Sequence, residues 1–559
     1  MEKIRTDAVI CTYNSQFVHQ SLAPYCLLAG IRKFAPERAA TVKEGTVNEP
    51  WEVLLEAVLR ESPRVLGVST YIWNLSHSLR LAEAVKGALP DCFVVMGGPE
   101  AAHSAREILG KYPFIDGVLV GEGEHSFAAL VDLVASGREP FAIAGLVYRR
   151  GGDILRNEPQ PLTDDPPSPY LPEYFAAIQN KIAYLETSRG CPFRCAFCLS
   201  GRRGGVRFFD LERAKNEVLL LAKNGVKTVK LVDRTFNADP ERALAFFRFL
   251  SEHTGKELPS GFRVHFEIAS DLLTEELMEF LSEVPPGLMQ FEIGLQSFSP
   301  SVLRAVRRHT DLTHLEKTVT ELVSQNRVHV HVDLIAGLPR EDLSTFLEGV
   351  DRAYFLGAHM LQVGFLKVIP GCAMRENGEE YPMEYCKEPP YEVISTPYMS
   401  QKDLALLHQL EEGVDRFYNK GRWRQTLAYL IVSTGERPSR VFLALGGAYA
   451  EKAEGEMPCD LLLRIGVGMK GVDRDTLVTR MLSDHLAKDS SGILPSCLKI
   501  PSEKYRNLKK AFLRAHPVRS GIRRGIALLP DESGFLWADY DSALKDPVTE
   551  TYPVQIHLF

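Results

Sequence analysis

No uncharged apolar run of about 18 residues occurs in this 559-residue chain, so nothing in it reads as a transmembrane helix. Its first residues, Met1 to Asp7, carry charge on both sides of Thr6 and lead straight into a strand pattern. That is not the form of a signal peptide. A basic excess is missing as well: the net charge is −7, and no global positive field points to nucleic acid. There is no internal repeat and no low-complexity tract. The ten cysteines are scattered without the pattern of a disulfide framework, which places the chain in a reducing cytoplasm. A Gly-x-Gly-x-x-Gly is absent after the first strand, where the turn reads Thr12-Tyr13-Asn14-Ser15-Gln16, so the dinucleotide signal is absent too. What remains is a chain of ordinary apolar content, 45%, long enough for about three to four domains.

The densest chemistry lies in Leu185-Glu186-Thr187-Ser188-Arg189-Gly190-Cys191-Pro192-Phe193-Arg194-Cys195-Ala196-Phe197-Cys198. Cys191, Cys195 and Cys198 are spaced x3 then x2, after a short strand-like run and beside a Gly and a Pro that favour a loop. Three is an odd number for disulfides. Zinc normally wants four ligands, and no second pair or nearby His completes a tetrahedron. Three soft thiolates on one loop suit an iron–sulfur cluster with one iron left open. The pattern CxxxCxxC, with the aromatic Phe197 before the last Cys, resembles the signature of the radical SAM enzymes. The resemblance implies a [4Fe-4S] cluster on Cys191, Cys195 and Cys198 whose open iron chelates S-adenosylmethionine. It also implies cleavage to a 5'-deoxyadenosyl radical, with an electron donor such as flavodoxin or ferredoxin.

Upstream, strand patterns at Ala8 to Cys11, Val65 to Ser69, Cys92 to Met96 and Gly117 to Val120 alternate with helical patterns. Those helices lie near Leu22 to Phe34, His77 to Leu89, Ala102 and Phe127. This alternation predicts an α/β, Rossmann-like doubly wound domain over residues 1–145, with ligands beyond the strands' carboxyl ends. The turns Ser69-Thr70-Tyr71, Gly97-Gly98-Pro99-Glu100 and Gly121-Glu122-Gly123-Glu124 resemble those of cobalamin-binding Rossmann-like domains. Glycines let backbone approach a bulky ligand, and small hydroxyls bond its amides. The resemblance implies cobalamin contacts at Asn14, Ser69, Tyr71, Trp73, Gly97, Gly98, Glu100, Gly121, Glu122 and Gly123. The first turn departs from the Asp-x-His-x-x-Gly of domains that supply an axial His. His19 is one candidate for cobalt. The alternative is Tyr71 or Trp73 beneath the corrin with no lower protein ligand.

A Pro-rich connector is expected over 146–175 and strand–helix alternation resumes after it. Six βα units over 176–385 predict a partial (β/α)6 TIM-like barrel with functional groups at the C-terminal strand ends. The order resembles radical SAM barrels. That resemblance places Asp233, with Phe236, at the end of the second strand, and Glu267 and Gln296 where the family meets the ribose or methionine. It places Gly337 in the Gly-Leu-Pro turn and Ile369 beside adenine. Asp333 alternates inward as a structural or SAM-side acceptor.

Residues 386–559 read as mainly helical and resemble the C-terminal extension of an uncharacterised cobalamin-dependent branch. Lys504 to Arg524 is basic and reads as a solvated helix face, so nucleic acid is not expected as a partner. The remaining cysteines, among them Cys372, Cys386, Cys459 and Cys497, are too dispersed for a second cluster. The resemblance implies a cobalamin-dependent radical SAM methyltransferase acting on an unactivated carbon of an unknown substrate. Radical cyclisation or rearrangement with cobalamin as electron carrier, a cluster- and corrinoid-binding sensor, and RNA modification stand as alternatives.

Overall fold

The first strand, β1 (Ala8–Asn14), is buried at every position, as a central parallel strand covered on both faces must be. The computed structural model describes residues 6–159, 165–202, 204–500 and 503–559. Met1 to Arg5, and Pro161 to Asp164 of the expected connector, lie outside them. After β1 come β2 (Ala40–Thr46), β3 (Val65–Ser69), β4 (Phe93–Gly97), β5 (Gly117–Leu119), β6 (Leu146–Arg150) and β7 (Asp153–Arg156). Their order is β2-β1-β3-β4-β5-β6-β7, parallel through β5 and antiparallel from there to the edge. Helices Ala23–Phe34 and Gly123–Ala135 cover one face, and Trp51–Glu61, Leu75–Ala88 and Ala105–Lys111 the other.

Two features depart from expectation. Strand β2 and the helix after it carry no strong sequence signal, because β2 (Ala-Thr-Val-Lys-Glu-Gly-Thr) is a half-buried edge strand with charges along it. The segment expected to begin the connector at 146 opens instead as the β6–β7 hairpin, whose Leu146, Val147 and Tyr148 are buried in the sheet.

The second sheet runs β8 (Ala183–Leu185), β11 (Thr228–Leu231), β12 (Arg263–Ile268), β13 (Met289–Gln296), β14 (His329–Ala336) and β15 (Met360–Phe365), all parallel in that order. Between β8 and β11 lies a small hairpin of β9 (Ser188–Gly190) and β10 (Val206–Phe208). Alternation is strict in β13 and β14, with apolar residues facing the helices and Glu292, Gln296, His331 and Asp333 facing the lumen. Phe236, Phe246, Phe247, Phe266 and Phe291 form the aromatic layer beneath the helices. Helices after the strands start on side-chain caps: Asp210, Asp239, Thr274, Asp311 and Asp342 each accept from the backbone N–H three residues on.

The C-terminal helices pack against this open barrel and blunt its exposed edge. Asn419, at the end of the turn Val414–Asn419, accepts from Leu361 N at 2.9 Å and donates to Leu361 O at 2.9 Å, as a seventh strand would. The mainly helical region also contains an unforeseen three-stranded antiparallel sheet of Arg524–Leu528, Gly534–Asp539 and Gln555–Leu558. Among the described residues, no helix is long and apolar enough to cross a membrane.

Candidate active site between the two sheets

In the first sheet the strand order reverses between β1 and β3, and such a switch point opens a crevice beyond the strand ends. A cavity of about 650 Å³ lies there, closed on its far side by Tyr184, Glu186, Arg189, Val232 and Arg234 of the barrel. That volume is within the range of cofactor pockets. Of the positions expected to meet a corrinoid, Asn14, Ser69, Tyr71, Trp73, Gly97, Gly98, Gly121, Glu122 and Gly123 all line it. Tyr71 and Trp73 stack with ring centres 4.5 Å apart and planes 3° from parallel, and the Trp73 indole N–H donates to Tyr13 O at 3.1 Å.

Three polar residues have other partners. Glu100 lies outside the cavity lining. Pro99 opens the short helix Pro99–His103, and the Glu100 carboxylate is buried and accepts from the Tyr391 hydroxyl. Asn14 is bound by Glu44, its side-chain N–H donating at 3.0 Å, so only part of it faces the ligand space. His19 also lines the cavity, with its Nδ1 2.8 Å from the Tyr184 hydroxyl of the barrel.

The cysteine loop starts where β9 ends. Asp233, only 1% exposed, accepts from Thr187 N at 2.8 Å, Thr187 Oγ1 at 2.6 Å and Ser188 Oγ at 2.6 Å. It therefore braces the strand into the loop and has no free face for a cofactor. Phe236 is likewise packed in the aromatic layer. Gly190 turns the chain with φ +105°. Ala196 N then donates to Val306 O at 2.9 Å, and Cys198 N to Cys195 O at 3.1 Å. Cys191 Sγ lies 3.4 Å from Thr235 Oγ1, and Ser200 N donates to Cys198 Sγ at 3.4 Å. Phe197 is half-buried against the barrel core.

Burial pushes the Cys195 thiol up; Arg308 opposes this, while nearby Cys198 and Cys191 reinforce it. All three sulfurs thus share one electrostatic neighbourhood. Among the described residues, the trio of Cys, His, Asp or Glu whose donor atoms all fall within 4.8 Å of one another is His265, Glu292 and His331. Three thiols on one loop suit a cluster that leaves one iron open, whereas a structural zinc site asks for four protein ligands.

Around the barrel mouth several buried polar atoms lack partners: Gln296 Oε1, Asp333 Oδ1, Glu341 Oε2 and Arg308 Nε. Orphans of this kind mark where a polar ligand is wanted. Gln296 carries φ +70° at the end of β13, and Glu267 faces Arg234 at 3.4 Å. Arg308 and Glu341 went unnoticed in the sequence. Arg308 reads there as the end of a helix, yet its Nη1 lies 3.8 Å from Cys195 Sγ, and its Nη2 donates to Gly294 O. A Cβ on Gly337 (φ +85°) would strike Val393, and Ile369 is half-buried against the core.

Deeper in the lumen, Glu292 accepts from His265 Nε2 at 2.9 Å and pairs with Lys230 at 3.3 Å. His265 and the Lys230 ammonium both pair with that carboxylate, while His331 Nε2 lies 2.9 Å from His329 Nδ1. Bonding to His265 holds Glu292 down to about 2. Burial pushes His331 and His359 down to about 4 from 6.5. The unfolded chain therefore takes up protons on these rings below pH 6.5 while the folded chain does not until about pH 4. The contribution of these rings to stability is full above about pH 6.5 and falls as pH drops through that window, by up to roughly 3 kcal/mol per ring, while buried Glu341, raised to about 8, and Asp484, raised to about 6, act in the opposite sense. Urea midpoints of wild type and His359→Asn from pH 7.5 to 4.5 check this: the variant should lose less stability on acidification than wild type, and identical pH slopes would refute it.

The seam between the two sheets is a charge cluster. Arg189 donates to Glu186 (Nε–Oε1 2.9 Å, Nη2–Oε2 2.8 Å), to Glu124 Oε1 at 2.6 Å and to Glu122. Arg207 donates to Glu122 at 2.6 Å. The turn that walls the cavity is thereby fastened to the residue two before Cys191.

Known proteins sort along the same lines. Residues 39–131 match the B12 binding domain, 185–353 the Radical SAM superfamily, and 379–523 a protein of unknown function, DUF4080. The chain carries a B12-binding domain and a radical SAM domain. A cobalamin-dependent radical SAM methyltransferase, TokK of Streptomyces tokunonensis, is 29% identical over 381 residues, 64% of this chain and 55% of its own. The 2-(S-pantetheinyl)-carbapenam-3-carboxylate methyltransferase of Streptantibioticus cattleyicolor is 28% identical over 365 residues, 61% of this chain and 53% of its own. The anaerobic magnesium-protoporphyrin IX monomethyl ester cyclase of Rubrivivax gelatinosus is 23% identical over 310 residues, 52% of this chain and 54% of its own. The chain spans about half the length of these curated relatives. Among solved structures, the radical S-adenosylmethionine methyltransferase TsrM of Kitasatospora setae, with cobalamin and [4Fe-4S] cluster bound, shares the fold. Its TM-score is 0.57 at 18% identity, covering 69% of this chain and 78% of that one. The cobalamin-dependent radical enzyme OxsB gives a TM-score of 0.58 at 13% identity over 92% and 76%.

Proposed function

We propose that the protein is a cobalamin-dependent radical SAM enzyme that methylates an unactivated carbon of a substrate still to be identified. The carrying observation is the adjacency of the 650 Å³ cavity of the B12-binding domain and the three-cysteine loop, joined at the Arg189 cluster. Cys191, Cys195 and Cys198 would hold a [4Fe-4S] cluster, and the turns after β1, β3, β4 and β5 a corrinoid. When bound, these groups would supply an electron to cleave S-adenosylmethionine to a 5'-deoxyadenosyl radical, and a methyl group to transfer. The chain's own residues fit that load. Arg308 stands beside the Cys195 sulfur, and Gln296 and Asp333 keep buried oxygens without partners where a bound ribose or methionine would need acceptors. The stacked Tyr71 and Trp73 line the cavity and would pack against a bound corrinoid, and the Tyr184 hydroxyl engages only the Nδ1 of His19.

None of the ten cysteines is in a disulfide, though the structure brings the Cys459 and Cys497 sulfurs to 3.0 Å; a cytoplasmic setting, with a flavodoxin or ferredoxin as electron donor, accords with this. Nucleic acid is disfavoured as a partner. Arg524 of the basic stretch is spent on Asp539 at 2.5 and 2.7 Å, and Arg523 on Ser491 O at 3.2 Å. Radical cyclisation is the second reading, favoured by the cyclase among the relatives. Anaerobic incubation of reconstituted protein with S-adenosylmethionine, hydroxocobalamin and reductant separates the two. Methyl transfer yields S-adenosylhomocysteine alongside 5'-deoxyadenosine, cyclisation only the latter. Formation of neither would reject both.

A further inference from the structure

We propose that Arg189 is a positioning residue that couples occupancy of the B12-domain cavity to the geometry of the cysteine loop. This rests on the cobalamin and cluster assignments above. Arg189 stands on β9, directly before Gly190 and two residues before Cys191. The register of the β9–β10 hairpin sets Arg207 opposite it. Both guanidiniums reach across the seam to one turn of the neighbouring sheet. The Arg189 side chain is 21% exposed, Glu122 21% and Glu124 5%, so these pairs are shielded from solvent and competing ions.

Glu124 gives the arrangement its direction. It lines the cavity, and its Oε1 accepts from Arg189 while its Oε2 is buried with no partner. A ligand presenting an amide N–H, as the side chains of a corrin do, would satisfy that second oxygen. Placing it would fix the carboxylate, and with it the fork of Arg189. Three carboxylates face two guanidiniums here, so a hydrogen bond donated to Glu124 stabilises an acid that the two guanidiniums do not fully balance. The chain between Arg189 and Cys191 is held at Gly190, which pairs with Val206 in the β9–β10 hairpin and lies so close to the Gly205 carbonyl that a Cβ would strike it. A shift of the 121–124 turn is therefore handed to the cysteine loop as a rigid displacement.

Linkage makes such a coupling reciprocal: a loaded cluster must tighten corrin binding by the same factor that corrin binding favours the loaded cluster. The experiment measures the dissociation constant for hydroxocobalamin, by anaerobic absorbance titration, on cluster-loaded and chelator-stripped full-length protein. Wild type is expected to bind about fivefold or more tightly when loaded. Arg189→Gln is expected to bring that ratio to about one, and Arg189→Lys, which keeps the charge without the fork, to an intermediate value. A residue serving only to hold the fold would weaken both forms by one factor and leave the ratio intact, and that result would overturn the proposal. Should Arg189→Gln fail to fold, Glu124→Gln reads the same ratio. Wild-type protein that binds no cobalamin sinks the cofactor assignment itself. Binding that is tight but indifferent to the cluster sinks only the coupling.

Discussion

Alanine at any one of Cys191, Cys195 and Cys198 leaves reconstituted protein unable to retain about four irons and unable to form 5'-deoxyadenosine above a cluster-free blank. The three thiols sit on one braced loop and are the cluster's three protein ligands, so each is needed to hold a corner of a cubane. The folded state should survive. Asp233 still anchors Thr187 and Ser188, and Ala196 still donates to Val306 O. Cys372→Ala is the informative control. That thiol is fully buried and accepts from Arg375 N at 3.4 Å as a helix cap, so its loss costs about 1 kcal/mol and leaves iron content unchanged. Iron and sulfide assays with single-turnover product analysis check both arms. Iron retained by two of the three loop variants would remove the basis of the site.

Gly98→Ala strikes the other half. Gly98 holds φ +91°, and a Cβ there would fall 2.9 Å from Thr70 N and closer still to the Thr70 carbonyl oxygen. Both neighbours are backbone, and Thr70 is itself tied to Gly97 O through its N at 2.8 Å and its Oγ1 at 2.7 Å, so neither can yield cheaply. The variant should lose about 2–4 kcal/mol of stability and at least tenfold in hydroxocobalamin affinity, roughly, while cluster iron stays in place. Gly87→Ala supplies the contrast. Gly87 lies in the helix Leu75–Ala88 with nothing within 4 Å, and alanine there should stabilise by about 0.5–1 kcal/mol. Urea unfolding and cobalamin titration of the two variants read the difference. Wild-type cobalamin affinity in Gly98→Ala would show that this turn does not wall the corrin site.

Much of the architecture is legible along the chain, because its causes are local. The alternation that turns Asp333 inward is borne out in His329 to Ala336, whose apolar residues are buried and whose polar ones face the lumen. What escapes the reading is weakly patterned. The edge strand Ala40–Thr46 is polar and half-buried, and the C-terminal sheet is assembled from short segments that one basic helix precedes. Where single polar residues point is less legible still. Glu100 belongs to a glycine-rich turn that resembles a corrinoid contact, yet it meets Tyr391, 291 residues away. Asp233 sits at a strand end and supports the loop from behind.

By itself the sequence determined the cysteine spacing, the strand–helix alternation of two parallel sheets and the glycine turns at their carboxyl ends, since each depends on neighbours within a few residues. Only the tertiary structure decided that Arg189 clasps Glu124 across 65 residues and that Arg308 reaches Cys195 across 113. Such pairs are chosen when packed layers bring distant charges into a shielded seam, and no spacing along the chain records which ones will meet.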